Sequence, residues 1–366
     1  MPSIAAQELL AQLDYARENA SEQLAQAGAL LESTLSAAGT QPHSLTFDCH
    51  AARDTWLSVA LLLFTVMLLT AAWRSRRWLI GCALALTLGL AGIAGLADPL
   101  LPSARQTSIE VVVEPREPSR SEVVLAAHYD SKTELFDHVE RSVLFGASVL
   151  LAGATILLRL RRPRRVRVVA SAAAFATLLC ALQWSALPLR GRSHGAIDDG
   201  AACVLLVQLA TTLQTEPLQR TRVRLVWFSG EEVGAQGSAA YLRARRVDEP
   251  VRVINLEGIG AGSRLATSSH EWTWPGIRSV APELLAALER AAGEPLVDLV
   301  VPLFTDAGMF LRAGLGAVTL LNVAPGAVTI RHLHGPGDRM HAVDWRGYEK
   351  SRRTLLRFLA AIDDET

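Results

Sequence analysis

The stretch Arg224-Leu-Val-Trp-Phe-Ser-Gly-Glu-Glu-Val-Gly-Ala-Gln-Gly-Ser238 decides the fold. An apolar run of strand character ends at Ser229-Gly230, two adjacent carboxylates follow, and Gly234 and Gly237 allow a tight turn into a helix. This order puts Glu231 and Glu232 at the carboxyl end of a central strand, where open α/β sheets carry their chemistry. The competing reading is a solvated turn in which the two glutamates have no task. The rest of the chain decides between them.

Outward from that stretch, apolar runs alternate with helical patterns. Residues 122–127 read as a buried strand ending in His128-Tyr-Asp130, 251–255 as a strand running into Leu256-Glu257, and 316–322 as another. Helices are expected at 201–213, 238–246, 282–292, 305–312 (capped by Thr305 or Asp306) and 344–362. Upstream, 5–38 forms one or two helices, and 44–49 and 108–114 are strand candidates. The alternation from residue 122 predicts an α/β fold with a mostly parallel central sheet covered on both faces. His128, Asp130, Glu231, Glu232 and Glu257 then meet at one sheet edge.

Composition misleads when averaged. Lys+Arg and Asp+Glu are both 36 in 366 residues, yet charge and apolarity are segregated. Segments 56–73, 78–97, 143–158 and 168–189 are nearly free of charge. A span needs about 20 apolar residues, so the second and fourth qualify outright and the first and third rely on snorkelling arginines. Trp56, Trp73, Trp78 and Trp184 lie at or near segment ends, where a bilayer interface takes aromatic rings. Arginines gather in the two links, as Arg74, Arg76 and Arg77, and as Arg159, Arg161, Arg162, Arg164, Arg165 and Arg167. Both links are therefore expected on the cytoplasmic side, with the N-terminus, about 98–140 and everything after 190 extracytoplasmic.

Residues 4–15 are amphipathic and carry Glu8 and Asp14, so no cleavable signal peptide is expected and the first hairpin serves as the targeting signal. The spans hold no internal acid or base, which argues against a transporter. The arginine clusters sit at membrane-facing tips, which argues against nucleic acid. The expected organisation is N-terminal helices and a first strand (1–55), hairpin one (56–97), a second part of the α/β domain (98–140), hairpin two (141–189) and a third part (190–366). None of the four cysteines has metal or redox spacing, and a Cys49–Cys203 bridge is left open.

His128, Asp130, Asp198, Glu231, Glu232, Glu257 and His334 are the residue types a hydrolytic metal centre needs. Zinc accepts imidazole nitrogen and carboxylate oxygen, and a two-metal centre needs a carboxylate able to bridge. In His128-x-Asp130 both side chains fall on one side of the chain, so Asp130 can hold the imidazole. Individually each has a plain alternative: Asp198-Asp-Gly is a good turn and His334-Gly-Pro-Gly a loop.

Ala127-His-Tyr-Asp-Ser131, Gly195-Ala-Ile-Asp-Asp199, Phe228-Ser-Gly-Glu-Glu-Val-Gly-Ala-Gln-Gly-Ser238, Asn255-Leu-Glu257 and His334-x-x-x-Asp338 occur in the order found in the co-catalytic zinc aminopeptidase family. That family includes aminopeptidase Y, plasma glutamate carboxypeptidase and endoplasmic reticulum metallopeptidase. The resemblance covers roughly 1–50 and 98–366, with both hairpins outside the usual pattern. It implies a zinc-exopeptidase fold of three αβα layers and two zinc ions per chain. Asp198 would bridge, His128 and Glu257 complete one ion, and Glu232 and His334 the other. Glu231 would be the general base, Asp130 would orient His128, and Asp306 would meet a free α-amino group.

The chain departs from the family at Glu257, where many members have Asp and the extra methylene moves the carboxylate by about 1.5 Å. It also departs after His334, where Gly-Pro-Gly makes His332 a competitor that the spacing to Asp338 disfavours. The expected activity is a membrane-embedded di-zinc aminopeptidase for short peptides, with peptide and bilayer as partners and homo-oligomerisation left open. Its rivals are a single-zinc glutaminyl-peptide cyclotransferase and a non-catalytic receptor or scaffold of the same fold.

Overall fold

The computed structural model describes all residues except 1–3, 162–165, 184–189, 246–250, 274–275, 300–301, 328 and 366. Its helices are α1 (Ile4–Leu13), α2 (Glu22–Ala37), α3 (Arg53–Trp73), α4 (Leu79–Ile93), α5 (His138–Arg161), α6 (Val166–Gln183), α7 (Ala201–Thr215), α8 (Gln236–Ala244), α9 (Pro282–Ala292), α10 (Asp306–Arg312) and α11 (Trp345–Asp364). The strands are β1 (His43–Cys49), β2 (Ala104–Val113), β3 (Ser121–His128), β4 (Thr221–Phe228), β5 (Val251–Glu257), β6 (Arg264–Ser268), β7 (His270–Trp272), β8 (Ile277–Ser279), β9 (Val297–Leu299) and β10 (Gly316–Val323). The chain divides into two units, one of 1–49, 104–132 and 193–366, the other of 50–103 and 133–192.

The first unit is built on an eight-stranded sheet in the order β1-β2-β4-β3-β5-β10-β6-β9. Its centre, β4-β3-β5-β10, is parallel, while β1, β2 and β6 join antiparallel. The parallel centre matches the sequence expectation. The short strands β6 to β9 were not anticipated, because runs of three to five residues carry too little periodicity to read. Helices α1, α2, α7, α9 and α11 cover one face and α8 and α10 the other, giving three layers.

Leu125, Val226, Ile254 and Val318 are fully buried, as a sheet sandwiched between helices requires. Phe228 meets Tyr241 edge-on at 5.6 Å between ring centroids, which fastens α8 to the sheet. Gly262 and Gly347 let α11 press on the turn that follows β5. A Cβ on Gly347 would lie 1.9 Å from the Gly262 carbonyl oxygen.

The chain leaves this unit at two places. Cys49 is the Cα partner of Ala104, and because Ile109 pairs with Trp227, that end of β2 lies beyond the carboxyl end of β4. Ser131, just past β3, lies against Gly195, so close that a Cβ on the glycine would come within 2.6 Å of the serine's own Cβ. Both insertions thus depart from the edge that carries the strand carboxyl ends.

The second unit consists of α3 to α6, with α3 packed on α4 and α6, and α5 on α6. Apolar side chains such as Val66, Leu84, Leu150 and Val168 face outward, and the hydroxyls of Thr65, Ser148 and Thr177 face inward. Thr65 and Thr177 share a hydrogen bond at 2.8 Å, and Ser148 meets the Cys180 thiol at 3.3 Å. Charged groups sit at the two ends. At one, Arg53 pairs with Asp98, and Arg141 bonds both oxygens of buried Glu134 at 2.8 Å with Gln183 as a further donor. At the other, Arg159 donates to the Ala71 carbonyl at 2.7 Å and Arg167 covers the Trp73 ring. The two arginine-bearing links therefore share one end of this unit. Trp184, Arg162, Arg164, Arg165 and the expected end of hairpin two at 189 lie outside the described residues, as does Arg246.

Four described helical stretches are long and apolar enough to cross a membrane: Arg53–Trp73, Val139–Arg161, Val166–Gln183 and Ala196–Thr215. The last belongs to the first unit, where 83% of its apolar window is buried in protein. The expected order of the spans is corrected here. α3 and α5 are the long helices, with 21 and 24 residues, whereas α4, expected to qualify outright, has 15 and reaches about 22 Å. Residues 76–78 form a tighter 3-10 turn, and Gly95 takes φ +73° just past the C-cap, so the apolar segment outlasts the helix at both ends.

Candidate metal centre

His128 closes β3, Glu257 closes β5, and Glu231 and Glu232 follow β4 through Ser229-Gly230, where Gly230 has φ +75°. Asp198 comes from an irregular turn at Ala196–Gly200 that opens α7, with a cis peptide bond between Asp198 and Asp199. His334 sits in the loop between β10 and α11 with φ +63°, a backbone region that costs a non-glycine residue energy and recurs at functional sites.

These side chains form two triads that share one residue. His128 Nε2 lies 3.1 Å from Asp198 Oδ1 and 3.4 Å from Glu257 Oε1. His334 Nε2 lies 3.2 Å from Asp198 Oδ2 and 3.1 Å from Glu232 Oε2. The donor atoms of each triad fall within 4.8 Å of one another. His332 is exposed and packs against Gly337, so the geometry brings in His334 and leaves its competitor out.

The donor set fits zinc. A tetrahedral ion with nitrogen and oxygen ligands at about 2.0–2.2 Å separates those ligands by about 3.3–3.6 Å, close to the spacings found. Each imidazole Nε2 faces two carboxylate oxygens, which one N–H cannot satisfy. Glu232 Oε1 and Glu257 Oε2 are buried and have no hydrogen-bond partner among the described residues. Burial pushes the Glu257 carboxyl up to about 8, and burial also raises Glu232, as expected where acids crowd together without a cation.

Glu231 lies beside both triads, and its carboxylate makes no hydrogen bond among the described residues. Burial, and then the neighbouring charges of Glu257, Glu232 and Asp306, hold its carboxyl well above the usual range against the pull of His128. Asp306 is fully buried at the start of α10, where Thr305 supplies the cap, and its oxygens accept no hydrogen bond of good geometry. The nearby Ser238 hydroxyl is committed to the Ala235 carbonyl. Burial pushes Asp306 up to about 7.

The role expected of Asp130 divides in two. Its backbone carbonyl is the nearer acceptor for His128 Nδ1, at 3.1 Å, with the carboxylate at 3.6 Å. The carboxylate instead takes the backbone N–H groups of Glu231 (3.3 Å) and Glu232 (3.1 Å) and the Asn19 amide (2.7 Å). Sequence reasoning missed several supports. Asn19 is one, Asp199 accepts the His128 N–H at 3.3 Å, and Lys132 donates to the Glu232 carbonyl at 2.9 Å. The doubled Asp198-Asp199 was the one local signal for any of them.

Asp338 accepts the Ile197 N–H at 2.6 Å and so joins the loop bearing His334 to the turn bearing Asp198. No disulfide forms among the described residues. Cys203 donates to the His128 carbonyl at 3.0 Å, while Cys49 packs with Phe47, Val233 and Ala240.

The sequence model of Peptidase family M28 matches residues 109–359, more than half of the chain. The chain belongs to that family. Its mixed α/β fold with a mostly parallel central sheet agrees with that membership. A segment of 72 residues is 39% identical to a vacuolar membrane protease of Verticillium alfalfae and 38% identical to one of Metarhizium robertsii. Those matches span 19% of the peptidase and 7% of either relative. Among solved structures, a zinc aminopeptidase from Bacillus subtilis superposes with a TM-score of 0.59 at 13% identity, covering 98% of this chain and 94% of its own. A glutaminyl cyclase from Porphyromonas gingivalis gives 0.59 at 15%, covering 98% and 97%. At such identities these two show the fold alone.

Proposed function

We propose that the protein is a membrane-embedded, di-zinc aminopeptidase that trims short peptides on the extracytoplasmic side. One observation carries the two-metal reading: the two oxygens of Asp198 face different histidines, at 3.1 and 3.2 Å. That is the arrangement a bridging carboxylate needs. His128, Asp198 and Glu257 would hold one ion, and Asp198, Glu232 and His334 the other. Zinc bound there supplies Lewis-acid polarisation of the scissile carbonyl and lowers the pKa of water.

The protein's own groups do the rest. The Asp130 carbonyl fixes the His128 tautomer with its proton on Nδ1, leaving Nε2 free as a ligand. Glu231, buried beside the two triads, takes the proton from the attacking water and delivers it to the leaving amine. Asp306, buried near Glu231, offers a carboxylate to the substrate's free α-amino group. The extracytoplasmic placement rests on the two arginine-bearing links.

Metal analysis of the purified protein, with a screen of free and N-blocked aminoacyl and peptidyl substrates, tests the reading. Two zinc ions per chain and hydrolysis restricted to free amino termini are expected. One ion per chain with cyclisation of N-terminal glutamine would replace the proposal by a cyclotransferase. Glu231→Gln should lower kcat by about 100-fold or more while keeping both ions, and a variant that kept its rate would remove the general-base role.

A further inference from the structure

The metal loops are tied together by a segment far from them in sequence, outside the family match. Residues 14–19 join α1 to α2, and Arg17 in their midst is completely buried. Its guanidinium donates to the Tyr129 carbonyl at 2.8 Å, the His194 carbonyl at 2.6 Å and the Gly195 carbonyl at 2.8 Å, and also to Leu13 and Tyr15. Its backbone N–H meets the Ser131 hydroxyl at 2.8 Å, and its carbonyl accepts the Ser131 N–H at 3.0 Å. Tyr129 and Ser131 precede the second insertion, and His194 and Gly195 follow it. Arg17 thus fastens the strand end that carries His128 to the turn that carries Asp198, which are far apart along the chain.

The neighbours of Arg17 extend the pattern. Asp14 accepts the His194 imidazole at 3.1 Å and the Met340 N–H at 3.3 Å, reaching the loop that carries His334. Asn19 donates to Asp130 Oδ2 at 2.7 Å, the oxygen that also receives the Glu232 N–H. Through Asp130 it fixes the backbone of a ligand and of the general base together.

We propose that residues 14–19 form a clamp for the metal centre, and that Asn19 is a positioning residue acting through Asp130. The proposal rests on the two-zinc reading above. Asn19 is half-buried and contributes nothing to the apolar core, so its variants test position more than folding. Losing its amide leaves Asp130 Oδ2 with one fewer donor and lets the carboxylate swing, carrying the 231–232 backbone with it.

The experiment compares full-length wild type, Asn19→Ala and Asn19→Asp. Zinc retention is measured under a chelator challenge, and kcat and KM are measured separately. Asn19→Ala should lower zinc retention or kcat by about 10-fold or more, with KM little changed, as outer partners of metal ligands do. Asn19→Asp should be worse than Asn19→Ala, because it sets a carboxylate against the Asp130 carboxylate, although aspartate is the closer match in shape. A purely structural role for the side chain orders the two variants the other way, and that order overturns the proposal. So does an Asn19→Ala protein equal to wild type in both zinc retention and kcat. Wild type that holds zinc but hydrolyses no peptide refutes the aminopeptidase reading alone, and the chelator arm still judges the clamp. Wild type that takes up no zinc removes both.

Discussion

Glu271 offers a test of the electrostatics that does not depend on the metal. It lies in β7, fully buried, and accepts the Thr319 hydroxyl at 2.6 Å and the Thr305 hydroxyl at 3.3 Å, tying β10 to the cap of α10. Burial pushes its carboxyl up from 4.5 to about 7, with the two hydroxyls pulling back and Asp306 adding to the rise. The folded protein therefore keeps a proton over a pH range in which the unfolded chain has lost it. The resulting stability is fully present below the unfolded value and disappears as pH rises through the folded one.

For these two values the contribution falls by about 2–3 kcal/mol between about pH 5 and about pH 8. Glu271→Gln is neutral throughout and lacks this dependence. Urea unfolding of wild type and variant in one detergent, at both pH values, measures it. Wild type should lose about 2–3 kcal/mol more than Glu271→Gln between the two conditions. An unchanged difference between the proteins at both pH values would refute the assignment of a buried, proton-holding Glu271.

Three further outcomes follow from packing and pairing. Gly347→Ala should destabilise the first unit by about 2–3 kcal/mol, since its Cβ meets the backbone at Gly262 and no flexible side chain can yield; a melting temperature like that of wild type would count against this contact. In the second unit, Thr177→Val should cost only about 0.6 kcal/mol, because Thr65 keeps its bond to the Leu61 carbonyl. Arg141→Met, which removes a two-oxygen partner of buried Glu134, should cost more, up to about 3–5 kcal/mol, and unfolding in mixed micelles compares the two.

Much of the fold and site could be read from the sequence because the chemistry sits where regular structure ends. β3, β4 and β5 are apolar runs long enough to recognise, and each delivers its acid or base at or just beyond its last residue. Their order in the sheet could not be read, since it depends on crossovers that leave no local trace. α4 was overestimated because hydropathy counts apolar residues and does not see Gly95 turning the chain. The supports were the least accessible: Asn19 meets Asp130 across a sequence separation of 111, and the break between two amphipathic helices that contains it looks like any other linker. Asp338 was noted only through its spacing from His334, and its link to Ile197 required coordinates.

The closed bases of the two insertions have an engineering consequence. Where Cys49 faces Ala104 across an antiparallel ladder, the chain ends already stand at the separation that a two-residue β-hairpin turn closes. Where Ser131 touches Gly195, Arg17 holds both sides of the gap. Loop-closure entropy rises only with the logarithm of length, so a 60-residue excursion costs about 2–3 kcal/mol more than a tight turn. The first unit thus treats the two apolar insertions as long loops, and replacing each with a short turn is the direct route to that unit without its apolar helices.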